Sequence, residues 1–213
     1  MSARDKILGK LRAAQTPFTD VPPIETRLRV TPDIDPSPVA LKARFLKQTA
    51  LVAVKPWEVA DDDAAVVKVM ELLAEDDTVM AWDFDQIGLP TLEAALSARK
   101  IRVTHPDDGE VRVGITGVDA ALAATGSVVL TSGAGRSRGA SLLPTVHIAV
   151  VRAAQILPDL EAYFERVRAH GSDHFRQSSN IVVITGSSRT ADIGQELILG
   201  AHGPVEVHVI MVG

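Results

Sequence analysis

The side chains best suited to chemistry lie between Asn180 and Asp192. Residues 181–184 form a β-branched apolar run of the buried-strand type. It breaks at Gly186 into Ser187, Ser188, Arg189, Thr190 and Asp192, and a helical pattern over 193–199 follows. Strand, polar turn and helix start together aim free N–H groups, hydroxyls and one guanidinium at a single spot, which suits an anion. Arg189 adds a bidentate carboxylate or phosphate contact. The same residues also serve plain helix capping, by Ser188 or Thr190, with Arg189 in water. His202, on the turn after that helix, stands either beside the anion or in a cap region where Gly200 ends the helix.

Two further regions carry candidates. In residues 114–130 a strand end meets Thr116 and Gly117, and Asp119 begins a short helix over 118–123. Ligands of open α/β sheets bind at such an edge, although Asp is also a good helix cap. In residues 131–141, Gly133, Gly135 and Gly139 allow close backbone approach, and Arg136 and Arg138 bring positive charge. No Gly-Lys-Ser/Thr follows, so this is not a P-loop; it reads as an anion site, a partner contact or a surface loop. His147 lies in an apolar strand, either as a core histidine with a satisfied hydrogen bond or facing a cleft. No Ser-His-Asp order, paired-carboxylate motif or metal signature stands out.

Composition narrows the classes. The net charge of −5 shows no basic stripe, and an aromatic share of 4% leaves few rings for base stacking, which argues against nucleic-acid binding. There is no cysteine, so this chain offers no disulfide, thiolate nucleophile or thiolate-held cluster. Residues 1–6 lack an adjoining apolar core of signal-peptide length, and no run reaches the roughly 20 residues of a membrane span. The expectation is a cytoplasmic protein.

These candidates need a scaffold. Ser2 caps a short amphipathic helix with Ile7, Leu8 and Leu11. Residues 13–38 hold six prolines and read as an extended arm whose Phe18, Val21, Ile24, Leu28 and Val30 lie on a surface of this domain or of a second copy, giving a homo-oligomer. The division is then 1–39 for helix and arm and 40–213 for the main domain. From residue 39, helices (41–48, 64–73, 91–98, 160–168) alternate with strands (50–54, 78–82, 101–104, 111–115, 127–130, 146–151, 181–184, 205–212). This predicts an α/β fold, a mostly parallel sheet with helices on both faces and 181–184 in its interior. Asp119, the 133–139 loop and the 187–190 turn then share one sheet edge.

In order, Gly114-Ile-Thr-Gly-Val-Asp119, Ala124-Thr-Gly-Ser127, Ser141-Leu-Leu-Pro-Thr-Val-His147, Thr185-Gly-Ser-Ser-Arg-Thr-Ala-Asp192 and Leu199-Gly-Ala-His-Gly-Pro204 resemble the LUD-domain family, and within it the lactate utilization protein C (LutC/YkgG) group. The likeness covers about residues 40–213. Thr145 and Ser187 stand where the family often has proline, and Gly194 where it often has glutamate. The resemblance implies a fold like that of the NagB/RpiA/CoA-transferase superfamily. It implies a part in oxidising L-lactate to pyruvate with two separately encoded iron–sulfur proteins, so that clusters sit on partners and this chain has no cofactor of its own. Gly117-Val-Asp119 distantly resembles the Gly-Ala-Asp turn of the isomerase active sites, which makes Asp119 the catalytic candidate. Three functions fit: a subunit of a lactate-oxidising system that binds a small carboxylate, a stand-alone isomerase or transferase acting on a phosphorylated or CoA-linked molecule, and a non-catalytic scaffold.

Overall fold

Capping and apolar spacing set the helices that frame the domain. Ser37 caps a helix whose first residue is Pro38, at a position where a missing N–H costs nothing, and Ser37 Oγ accepts from Ala40 N. Its inward residues Leu41, Phe45 and Thr49 repeat every four positions. Asp61 caps the next helix by accepting from Ala64 N at 2.9 Å, and Ala65, Val66, Val69 and Leu73 form its buried stripe.

The computed structural model describes residues 2–14, 33–170, 177–191 and 197–213. The chain divides into two compact units, Met1–Val30 and Thr31–Gly213. In the first, α1 (Ala3–Ala14) begins with Ser2 Oγ accepting from Asp5 N. Most of the proline-rich stretch, with its apolar residues 18–30, lies outside the described residues.

The second unit contains α2 (Pro38–Leu51), β1 (Lys55–Val59), α3 (Asp62–Leu73), β2 (Thr78–Ala81), α4 (Phe84–Ile87), α5 (Leu92–Ala98), β3 (Arg102–Val103), β4 (Val113–Thr116), β5 (Ala120–Leu122), β6 (Ser127–Ser132), α6 (Gly139–Leu142), β7 (Val146–Arg152), β8 (Ile156–Leu157), α7 (Leu160–Ala169), β9 (Asn180–Ile184), β10 (Arg189–Ala191), β11 (Leu197–Leu199) and β12 (Glu206–Val212). Ile34, ahead of α2, already packs against its core. Six strands form a wholly parallel sheet in the order β1-β12-β7-β4-β2-β3. Its central strands β7 and β12 are buried along nearly their whole length, as expected where both faces are covered. Among the described residues no helix is long and apolar enough to cross a membrane.

A second, four-stranded sheet, β8-β5-β6-β9, was not expected. It is sandwiched. Ala121, Val128 and Leu130 join the main core, whereas Ala120, Leu122 and Val129 pack with Tyr163 and Val167 of α7. This alternation is the period of two that a strand imposes. Three expectations are corrected here. Residues 118–123 contain β5, not a short helix: Ala-rich sequence favours helix, but burial between two cores overrides propensity. Residues 181–184 form β9 at the edge of the second sheet, antiparallel to β6, with Ile181 and Val183 exposed. Residues 50–54 end a helix, and the strand is β1, displaced to Lys55–Val59 with its proline on an edge.

The predicted helix over 193–199 is corrected at its described end, residues 197–199. Arg189–Ala191 and Leu197–Leu199 pair as an antiparallel ribbon, in register Arg189↔Leu199 and Thr190↔Ile198. Positions 192–196, including Gly194, lie outside the described residues.

Candidate functional site

The sheet order creates a crevice. From β2 the chain passes to β3 on one side, and from the adjacent β4 it passes to β7 on the other. Strand ends whose connections diverge in this way leave an opening at their C-terminal edge. Trp82 and Asp83 follow β2; Thr116, at the end of β4, is followed by Gly117 and Asp119. A Cβ on Gly117 would lie 2.3 Å from the Gln86 carbonyl, so only glycine lets α4 pass over the end of β4.

The Gly133–Gly139 loop closes over this crevice. Trp82 Nε1 donates to Ser137 O at 2.9 Å, and Asp83 N donates to Gly135 O at 2.8 Å. Gly133 and Arg136 exchange backbone hydrogen bonds. Arg136 then points into the crevice. Its Nη1 donates to Asp119 Oδ1 at 2.8 Å and to Thr131 Oγ1 at 3.1 Å, its Nε donates to Gln86 Oε1 at 2.8 Å, and its guanidinium carbon lies 5.4 Å from the centre of the Trp82 ring. Asp119 Oδ2 accepts from Thr131 N at 2.6 Å. Arg166 Nη2 donates to Asp119 O, and Gln155 Nε2 to Val118 O, which fixes the segment from the other side. Asp119 is therefore not a helix cap: its carboxylate joins a strand end, a glycine loop and a partly buried arginine. Burial, then the nearby Asp119 charge, pushes the Tyr163 phenol up to about 12.

Thr116 and His147 lie just inside the sheet. Thr116 Oγ1 and His147 Nε2 are 2.9 Å apart, and His147 is fully buried with Nδ1 unpartnered among the described residues. Burial, followed by the nearby His208, lowers its pKa to about 4, so the ring is neutral near pH 7.

The Ser187–Thr190 turn is elsewhere, which corrects the expected convergence. Ser188 N donates to Pro204 O, ahead of the N-terminal end of β12, and Gly186 presses against Val52 O, ahead of β1. Asp119 lies beyond the opposite ends of the parallel strands. The wrong strand direction assigned to 181–184 caused the error: β9 runs antiparallel within another sheet. Ser187 is half-buried in the turn, and Thr190 sits in the ribbon. Arg189 is exposed and makes one long contact, Nη2 to Val52 O at 3.5 Å. His202 N donates to Ser188 Oγ at 3.3 Å. Sequence reasoning passed over Trp82, Asp83 and Gln86, for which the signal was an aromatic-acidic pair placed directly after an apolar strand.

The family model for the LUD domain matches residues 42–212. Lactate utilization protein C of Halalkalibacterium halodurans is 34% identical over 145 residues, 63% of this chain and 62% of that protein. Its namesake in Bacillus subtilis is 39% identical over 103 residues, 48% of this chain and 43% of that protein. An uncharacterized protein YkgG of Escherichia coli is 34% identical over 103 residues, 48% and 45% of the two chains. The matched region thus spans less than two thirds of each of these relatives. Among solved structures, a DUF162 family protein from Deinococcus radiodurans shares the fold, with a TM-score of 0.62 at 22% identity over 83% of this chain and 99% of that one.

Proposed function

Since the chain belongs to the LUD domain family, we propose that it is a subunit of a cytoplasmic system that oxidises L-lactate to pyruvate, and that it binds a small carboxylate in the crevice between β2 and β4. The observation that carries the reading is the run of relatives named lactate utilization protein C at 34% to 39% identity. The crevice chemistry supports the carboxylate. Arg136 commits Nε and Nη1 to protein partners and leaves Nη2 without one among the described residues. A guanidinium held by three side chains against an indole face is preorganised for a planar anion. Asp119, held by Arg136 and Thr131 N, adjoins that guanidinium and is the candidate proton acceptor. Electrons leaving lactate need a redox group. In this reading iron–sulfur partner proteins carry that group.

The test is reconstitution. The chain is purified together with iron–sulfur partner proteins, and lactate-dependent electron transfer is followed for wild type, Arg136→Lys and Asp119→Asn. The expected outcome is a stable complex whose turnover falls at least tenfold in both variants. Isomerase or transferase turnover by the lone chain, without partner binding, would sink the proposal.

A further inference from the structure

A second cavity, of about 230 Å³, lies between α6 and the end of β9 and reaches the N-terminal end of the parallel sheet at Pro204. Its polar lining is Arg138, Ser141, Thr185, Ser188 and His202, with Leu142 and Val183 among its apolar walls. Among the described residues no aspartate or glutamate lines it. We propose that this cavity is a second binding site, distinct from the β2–β4 crevice, for a small oxyanion held by the Arg138 guanidinium and the His202 imidazole.

Three observations converge on it. First, Arg138 is exposed at the mouth of the cavity, with only its backbone carbonyl engaged, by Ser141 N and Oγ, and its guanidinium has no protein partner among the described residues. An arginine facing a cavity without a counter-charge leaves a fork of donors matched to carboxylate or phosphate. Second, the His202 ring, which is exposed, has no partner among the described residues. Its backbone N–H donates to Ser188 Oγ, which leaves the Ser188 hydroxyl proton free to point into the cavity.

Third, Thr185 ends a chain of hydroxyls. Thr125 Oγ1 and Ser127 Oγ are 2.6 Å apart, and Ser127 Oγ and Thr185 Oγ1 are 2.7 Å apart. Three hydroxyls carry three protons for two mutual hydrogen bonds, so one proton is left over, and it sits on Thr185 when Thr125 donates to Ser127 and Ser127 donates to Thr185. An anion in the cavity polarises the chain toward Thr185, making that hydroxyl a further donor. Carboxylate and phosphate share this recognition chemistry, and the volume suits a molecule of a few heavy atoms.

The proposal does not rest on the lactate reading. The full chain is labelled with ¹⁵N and titrated with L-lactate, pyruvate or inorganic phosphate in a buffer free of other oxyanions. The expected result is a saturable shift of the Ser188 and Gly203 amide signals with at least one anion. Affinity falls tenfold or more in Arg138→Gln, less in Arg138→Lys, and also falls in His202→Gln. Saturation by the carboxylates alone identifies a carboxylate site, and saturation by phosphate alone a phosphoryl site. No saturable shift with any of the three, or an unchanged dissociation constant in Arg138→Gln, overturns the proposal. The other signals of Arg138→Gln report whether its fold is intact, and the partial effect of Arg138→Lys separates loss of the donor fork from misfolding. Because the readout is local, failure here leaves the Arg136 assignment standing, and the reverse also holds.

Discussion

Arg136 and Arg138 stand two residues apart in one glycine-rich loop, yet the fold gives them opposite conditions. Arg136 turns to the C-terminal end of the parallel sheet, where Asp119, Thr131 and Gln86 take its donors. Arg138 lines a cavity without an acidic residue and donates to nothing among the described residues. The first guanidinium commits Nε and Nη1 to holding the loop in place and keeps Nη2 for a ligand. The second is free to meet a ligand. A basic residue in a flexible-looking loop thus has no fixed meaning; what neutralises it decides whether it is structural.

The widest gap between the two ends should appear in stability. The Arg136 and Asp119 side chains are 28% and 11% exposed, so truncating the arginine leaves a carboxylate largely shielded from water. Arg136→Ala should cost about 2–4 kcal/mol, near the range for a pair broken on one side inside a protein. Arg138→Ala should stay within about 0.5 kcal/mol, as at an ordinary exposed position. Urea unfolding of both variants is the measurement, and equal losses would erase the distinction.

A second experiment addresses the strand that lies between the two ends. His147 of β7 is held near pKa 4, below the 6.5 of an unfolded chain. The unfolded state therefore takes up its proton first as pH falls. The stability contributed by the neutral ring is complete above pH 6.5 and is lost progressively down to about pH 4, by up to about 3 kcal/mol. His208, lowered chiefly by burial, adds a loss of the same sign. Unfolding free energy measured across this window should fall with acid in wild type and much less in His147→Gln. A slope unchanged in the variant would show that His147 does not control it.

The comparison also explains what could be read without a structure. The main sheet was legible wherever both faces are buried: the apolar runs of β7 and β12 have no reading other than an interior strand, and the capped stripe of α3 is unambiguous. The second sheet was not. β5 is built from small residues that favour helix in isolation, and it is a strand because α7 lies on one side of it and the main core on the other. Leu197–Leu199 carries no period long enough to separate ribbon from helix. At the crevice, Asp119 and Arg136 were both singled out, but their ion pair depends on β5 and β6 forming a hairpin, a contact visible only after folding. The turn at 187–190 was expected at the same edge because strand direction was inferred from alternation, which carries no direction.

Glycines at the two ends offer a finer test. Gly135 (φ +70°) and Gly186 (φ +83°) both occupy the left-handed region. A Cβ at Gly135 would meet the Asp83 carboxylate at 2.5 Å, and a side chain can swing away. At Gly186 it would meet the Val52 carbonyl at 2.3 Å, which is main chain following α2. Gly135→Ala should therefore cost about 1 kcal/mol, largely the conformational penalty, and Gly186→Ala about 2 kcal/mol or more. Thermal melts of both variants, with Asp83→Ala combined with Gly135→Ala as relief, rank them. A larger loss at Gly135 would mean that the loop over the crevice is the more rigid of the two.

The smallest effect is expected at Arg189. Sequence logic places it at a helix start, where backbone N–H groups and a guanidinium would act together. In the folded chain it begins β10, and its side chain is exposed, making one contact of 3.5 Å with Val52 O. A hydrogen bond of that length to a neutral carbonyl in water contributes little. Its neighbour Ser188 lines the cavity, but Arg189 does not. Arg189→Ala should then change unfolding free energy by less than about 0.5 kcal/mol. It should leave the affinity read from the anion-induced shifts of Ser188 and Gly203 nearly unchanged, while Arg138→Gln lowers it tenfold or more. If Arg189→Ala instead abolished those shifts and Arg138→Gln spared them, the free cation at this end of the sheet would be Arg189. The contrast drawn between neighbouring arginines of one loop would become a contrast between two separate segments.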